Sequence, residues 1–330
     1  MVKLSVLDLC PIVEGGDAAQ AFAGALDLAR HAEQLGYGRY WLAEHHNMLG
    51  VASSATAVMI CRIAAATTRI RVGAGGVMLP NHAPLIVAEQ FGALACLFPG
   101  RIDLGLGRTP GGNPATARAI RRNLTGASDT FPKDVLELQT YFRPANPGQA
   151  VQAVPGAGLD VPLWILGSSN FGAQLAAHLG LPFAFAAHLA PAALESAASL
   201  YRTGFKPSAQ LAAPYLMLTV NGIAAATDAE ARLLFTSLQQ DVVNLRAGRA
   251  LPLAPPVEDY AERLDPAPRA SMDATLAYAL VGSAGAVRAQ MLALVEQTGA
   301  DELMISGPVF DHAARRESFS ILAEAANLSG

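Results

Sequence analysis

Cysteine is nearly absent: Cys10, Cys61 and Cys96 are the only three in 330 residues, widely spaced and without a CxxC pair. That number and spacing exclude a disulfide framework and a thiolate zinc site. They read as reduced core residues of a cytosolic protein. Charge is scarce too, at 15% of residues with a net of −4. No basic run exceeds "IRRN", so nucleic acid and anionic membrane are poor partners. Long hydrophobic runs are also missing. The most apolar region, "LPFAFAAHLAPAAL", is broken by His188 and two prolines and cannot span a bilayer. The opening "MVKLSVLDLC" meets Asp8 too soon for a signal peptide. The expectation is a soluble, cytoplasmic protein.

What the chain does have is apolar content, 52% of residues, which excludes disorder and allows a large core. Short apolar runs alternate with helical patterns. Strand "KLSVLDL" (3–9) precedes helix 17–36, with Asp17 as N-cap and Gly36 as stop. Strand 39–44 precedes helix 53–68, strand 69–79 precedes helix 83–98, and strand 101–107 leads through a Gly- and Pro-rich loop to a helix near 131–143. A hairpin is expected around "VQAVPGAGLD". Strands 162–167 and 181–187 follow, each with its helix, the second spanning 191–203. Strand 214–222, a helix from Asp228 to about Leu245, helix 283–298, strand 301–306 and helix 312–326 complete the chain.

Eight nearly continuous apolar strands with intervening helices suit a parallel sheet covered on both faces. The spacing predicts a single α/β domain, a (β/α)8 TIM barrel over 1–330, with an open doubly wound sheet as the alternative. Residues 246–271 carry five prolines and break the rhythm after strand seven, which suggests a lid or mobile insertion, or a tolerated surface loop. Helices 53–68 and 83–98 each hold a single charge, Arg62 or Glu89. Helices so apolar cannot face water all round, and a homodimer through these two is the expectation.

Barrel chemistry sits at the C-terminal strand ends. These ends supply Asp8, then Glu44-His45-His46, Gly75-Gly76, Gly107-Arg108, Gly167-Ser168-Ser169, His188 and Asn221. Adjacent residues leaving a strand point to opposite sides, so His45 and His46 cannot share a metal, and no metal is expected. One imidazole would face the pocket to move or hold a proton, and the other would be bonded to the backbone. Two purely structural histidines are the bland alternative. "GLGRTPGGNP" (105–114) departs from GxGxxG and follows the fourth strand, so it argues against a dinucleotide fold. Arg108, suited to bidentate phosphate contacts, and a helix opened by Ser168 and Ser169 together describe an anion site. Gly75-Gly76 permits close approach of a flat ligand or an unusual backbone such as a cis peptide; a β-bulge is the plain alternative.

"YWLAEHHN", "VGAGGVMLPNHAPLIVAEQFGALACLFPGRIDLGLGRTPG", "LWILGSSNFGAQLAAHLGLPFAFAAH" and "DELMISGPVFDH" resemble the bacterial luciferase-like flavin-dependent monooxygenases over nearly the whole chain, from Leu4 to about Phe319. The resemblance implies a dimeric barrel that uses O2 and reduced FMN supplied by a separate NAD(P)H:flavin reductase. It further implies oxygenation of a small, apolar or aromatic molecule through a C4a-hydroperoxyflavin. Carried over by position, His45 takes the catalytic role and Arg108 holds the phosphate with Ser168 and Ser169. Gly75 and Gly76 border the isoalloxazine ring, with Glu44, Leu166 and Gly167 also on the cofactor side. His46 and His188 are candidates for the substrate pocket. Gly107 and Gly167 stand where luciferase has a reactive cysteine and a glutamate, which argues against aldehyde oxidation with light emission. A deazaflavin (F420)-dependent dehydrogenase, a non-catalytic flavin-binding protein, and an unrelated barrel lyase with a histidine base stay open as alternatives.

Overall fold

Alternating side-chain direction builds the first unit. In Leu4–Asp8 (β1) Val6 packs outward with the main core, while Leu7 points to the interior of the sheet. The computed structural model describes residues 2–109, 114–120 and 130–327. After β1 come α1 (Ala18–Gln34), β2 (Arg39–Leu42), α2 (Thr56–Ala64), β3 (Arg71–Met78), α3 (Pro84–Leu97) and β4 (Ile102–Gly107). The middle of the chain forms α4 (Pro114–Ile120), α5 (Phe131–Phe142), β5 (Leu163–Gly167), α6 (Asn170–Leu179), β6 (Phe183–Ala186) and α7 (Leu194–Gly204). It ends with β7 (Leu216–Ala224), α8 (Asp228–Arg246), α9 (Pro266–Thr275), β8 (Leu280–Gly282), α10 (Ala284–Thr298), β9 (Glu302–Ser306) and α11 (His312–Ala325). Asp17 caps α1 as expected, in a reciprocal capping box with Gln20.

The strands run β6-β5-β4-β3-β2-β1-β9-β7, and a β6–β7 pairing closes the ring. All these pairings are parallel, so the architecture is the expected eight-stranded (β/α)8 barrel. The three-residue β8 lies outside the ring and extends β7 alone. Leu280–Gly282 is too short to carry a periodic signal, and the sequence reading passed over it.

The barrel interior is layered. At the N-terminal end Asp103 is fully buried and pairs with Arg39 and Arg71, each at 2.6 Å, while Glu302 accepts from Arg39, Tyr215 and Ser5. Charges so enclosed need partners, and this network supplies them. Above it Leu7, Trp41, Ala43, Trp164, Ala184, Met217 and Met304 form an apolar layer, with the two indoles edge to face at 5.1 Å. Everything beyond that layer is the mouth.

Three expectations need correction. The segment 151–162 holds no strand, so there is no hairpin; Val154–Pro155 is a cis peptide, and Gly156 and Gly158 take positive φ in a turn packed on Gly92 of α3. Residues 246–271 are not structureless. Prolines 266 and 268 fall in the first turn of α9, where a missing N–H costs nothing, and Leu253 pairs with Ile12 and Glu14 through backbone hydrogen bonds. All three thiols are free, but Cys96 is exposed on the outer face of α3 and is no core residue. Among the described residues no helix is long and apolar enough to cross a membrane.

Candidate active site

The end of β2 continues the alternation of its strand. Arg39, Trp41 and Ala43 face the interior while Tyr40 and Leu42 pack outward, so His45 falls on the interior side and Glu44 behind it. Glu44 is only 1% exposed and acts as a hub. Its Oε1 accepts from Nε2 of His46 and from Nε2 of His82, each at 2.8 Å, and its Oε2 accepts from the Met78 N–H at 3.0 Å. Burial opposes its charge, but the hydrogen bonds from His82, His46 and Met78 prevail and hold its pKa below the ordinary carboxylate value.

His46 is therefore tied to a carboxylate, not to the backbone as its sequence position suggested. His82 is the residue that sequence reasoning missed. It stands in "LPNHAP", directly after the glycine-bearing strand end, and that position was the available signal. Among the described residues no group of His, Cys, Asp and Glu is placed to hold a metal.

His45 behaves differently from its neighbour. Its Nδ1 is buried without a hydrogen-bond partner. Burial lowers its pKa; Glu44 pulls upward and His46 pushes further down. A neutral imidazole with an orphaned nitrogen suits contact with a ligand. His188, at the end of β6, gives Nδ1 to the Thr219 carbonyl at 3.2 Å, and burial drives its pKa down to about 4. Asp8 is no mouth residue. It is fully buried, bonded to Tyr40 Oη and Cys10 N–H, and paired with Arg315 of α11 at 2.8 Å.

Inside β3, not at its end, the peptide between Gly75 and Gly76 is cis, and the β3–β4 register shifts between Ala74 and Val77, so both sequence readings of the backbone hold at once. A Cβ on Gly76 would lie 2.7 Å from the Gly105 carbonyl oxygen and 3.1 Å from Leu166 Cδ2. Only glycine fits there, and Gly76 and Leu166 lie side by side.

Next to them lie the residues expected to form an anion site. Arg108 makes no ion pair among the described residues; its guanidinium lies 4.2 Å over the ring of Phe171, in the first turn of α6. Ser169 is the N-cap of α6, yet no side-chain cap bond forms, and Ser168 and Ser169 are both exposed. Among the described residues, then, a cation without an ion-pair partner, two hydroxyls without a hydrogen bond and a helix N-terminus lie close together. Residues 110–113 of "GLGRTPGGNP" lie outside the described residues.

These are residues that fit a flavin phosphate beside a flat ring system. Comparison with known proteins gives the family. A luciferase-like monooxygenase of Escherichia coli strain K12 is 51% identical over 320 residues, covering 97% of this chain and 96% of its own. The crystal structure of apo-MsnO8 superposes with a TM-score of 0.89 at 35% identity, covering 100% of this chain and 99% of that one. The oxygenating constituent of 3,6-diketocamphane monooxygenase from Pseudomonas putida, in complex with FMN, shares the fold at TM-score 0.75 and 18% identity, over 98% of this chain and 97% of its own. The profile of the luciferase-like monooxygenases matches residues 2–302, and the chain belongs to that family.

Proposed function

We propose that this protein is a two-component flavin-dependent monooxygenase that takes reduced FMN from a separate NAD(P)H:flavin reductase and oxygenates a small apolar or aromatic molecule with O2. The carrying observation is Arg108 stacked on Phe171 at the open N-terminus of α6. A guanidinium with no carboxylate partner among the described residues, beside two exposed serines at a helix N-terminus, is disposed to bind a phosphate.

In this reading Arg108, Ser168 and Ser169 hold the phosphate. Gly75, Gly76 and Leu166 border the ring, with Glu44 and Gly167 on the same side. Reduced flavin, when bound, supplies two electrons, so that one oxygen atom enters the substrate and the other leaves as water. His45 keeps a neutral imidazole at the mouth, where it holds or passes a proton. Glu44 keeps His46 and His82 in place behind it, which makes His46 a positioning residue in this reading. The apolar layer below and the segment 246–271, hydrogen-bonded to Ile12 and Glu14, act to exclude water. We further read α2 and α3 as a homodimer face, because Val58, Ile86 and Leu97 are exposed there.

Anaerobic calorimetry with reduced FMN, oxidised FMN and the deazaflavin F420 tests the proposal. Reduced FMN should bind, and Arg108→Ala should weaken it. Absence of heat with FMN in both redox states overturns the reading. Binding of deazaflavin in preference to FMN moves the protein to the dehydrogenase class.

A further inference from the structure

Strands β2 and β6 stand four places apart in the ring of eight and so face one another across the barrel. His45 leaves the end of β2 and His188 the turn after β6. Despite those opposite origins, His45 is among the groups whose charge acts on His188. Two side chains from opposite walls can interact so only if both reach into the mouth.

The hydrogen bonding of His188 fixes what it offers there. The Thr219 carbonyl accepts from the His188 backbone N–H at 3.0 Å and faces Nδ1 at 3.2 Å. A carbonyl only accepts, so Nδ1 carries the ring proton. In a neutral imidazole Nε2 then holds a lone pair. The ring stays neutral because burial, the largest influence, outweighs the Thr219 carbonyl and brings its pKa to about 4. The walls beneath are Trp164, Ala184 and Met217. The mouth therefore presents a half-buried imidazole acceptor above an apolar surface.

We propose that His188 reads an un-ionised hydroxyl on the organic substrate, its Nε2 accepting the O–H hydrogen bond, so that the substrate is a hydroxylated, otherwise apolar molecule of the phenol or naphthol kind. Naming that ligand a substrate rests on the monooxygenase reading; the acceptor and its orientation do not. His188 is an acceptor here and not a base. A conjugate acid of pKa about 4 cannot take a proton from a phenol titrating near 10. The hydroxyl stays intact, and the group serves selection: an analogue without the O–H leaves a desolvated lone pair unpaired.

Two measurements on the full chain test this. In the free protein, nitrogen-15 NMR should show His188 with its proton on Nδ1 and a bare Nε2; the opposite tautomer overturns the proposal. Calorimetry with 2-naphthol and 2-methoxynaphthalene compares ligands that differ in the donor alone. The ratio of their affinities should favour naphthol in the wild type and fall about tenfold in His188→Phe, with His188→Gln keeping part of the preference through its amide oxygen. Equal affinities, no binding of either ligand, or an unchanged ratio in His188→Phe overturns it. FMN titrated into the same samples separates the two readings. If FMN does not bind while the naphthol preference depends on His188, the monooxygenase reading falls and the acceptor role stands.

Discussion

Nε2 of His82 donates to Oε1 of Glu44 at 2.8 Å, joining the turn after β3 to the end of β2. His46 donates to the same oxygen, so one carboxylate fixes two loops and the backbone that presents His45. Replacing Glu44 by Gln puts an amide among donors and removes the charge that makes those bonds strong. Each bond to a charged group is worth about 1.5–3 kcal/mol, and Glu44→Gln should lose at least that much in urea unfolding at pH 7. The pH sign is fixed by the lowered pKa of Glu44. Its contribution is whole above the unfolded value of about 4.5 and is lost as pH falls through the lower folded value. Unfolding free energies of wild type and Glu44→Gln should therefore converge in acid.

Phe171 orients Arg108 from below, so the two side chains should contribute separately to flavin affinity. Arg108→Ala removes a charge-assisted phosphate contact and should weaken FMN binding roughly ten- to hundredfold. Phe171→Ala removes only a cation–π contact at a partly exposed site, worth about 0.5–1 kcal/mol, and should weaken binding about two- to fivefold. Titration of both variants checks the ranking. Equal losses would mean that the ring itself, not the guanidinium, grips the ligand.

The barrel, and the nearness of Arg108 to the start of α6, were legible because each has a local signature. Apolar runs of strand length, a Ser-Ser helix opening and an arginine at a strand end are short-range patterns. The Glu44 hub was not, because His46 and His82 are 36 residues apart and meet only through the pairing of β2 with β3. Asp8 misled for the same reason: its partner Arg315 lies at the far end of the chain. The α9 helix was hidden by its own prolines, which mark a loop in sequence but occupy the first helical turn in the fold. The hairpin around 151–162 failed because Pro155 withholds an N–H where a ladder needs one.

Val58 on α2 is 68% exposed and Leu97 on α3 is 64% exposed, so neither supports the folded protomer. Val58→Asp and Leu97→Asp should leave unfolding free energies within about 0.5 kcal/mol of wild type. A charge at the centre of an apolar interface is costly, however. If α2 and α3 pair two protomers, light scattering at micromolar concentration should give twice the chain mass for wild type and one chain mass for the double variant. A single-chain mass for wild type removes the dimer.

His188 should make the fold sensitive to mild acid. Its imidazole resists protonation until about pH 4 in the folded protein, whereas the unfolded chain takes the proton near 6.5. The unfolded state thus binds more protons between those values, and stability falls as pH drops. It is whole above pH 6.5, and at pH 5 the loss reaches about 2 kcal/mol at 1.4 kcal/mol per unit. His45, also held below its ordinary value by burial, adds a slope of the same sign. Glu44 titrates lower and does not interfere in this window. His188→Gln keeps a polar group toward Thr219 but cannot titrate. Its urea unfolding free energy should therefore change less between pH 7 and pH 5 than that of wild type, by nearly the whole His188 share. Parallel slopes for the two proteins would show that water reaches the ring freely, and that the neutral acceptor at the mouth is not enforced by burial.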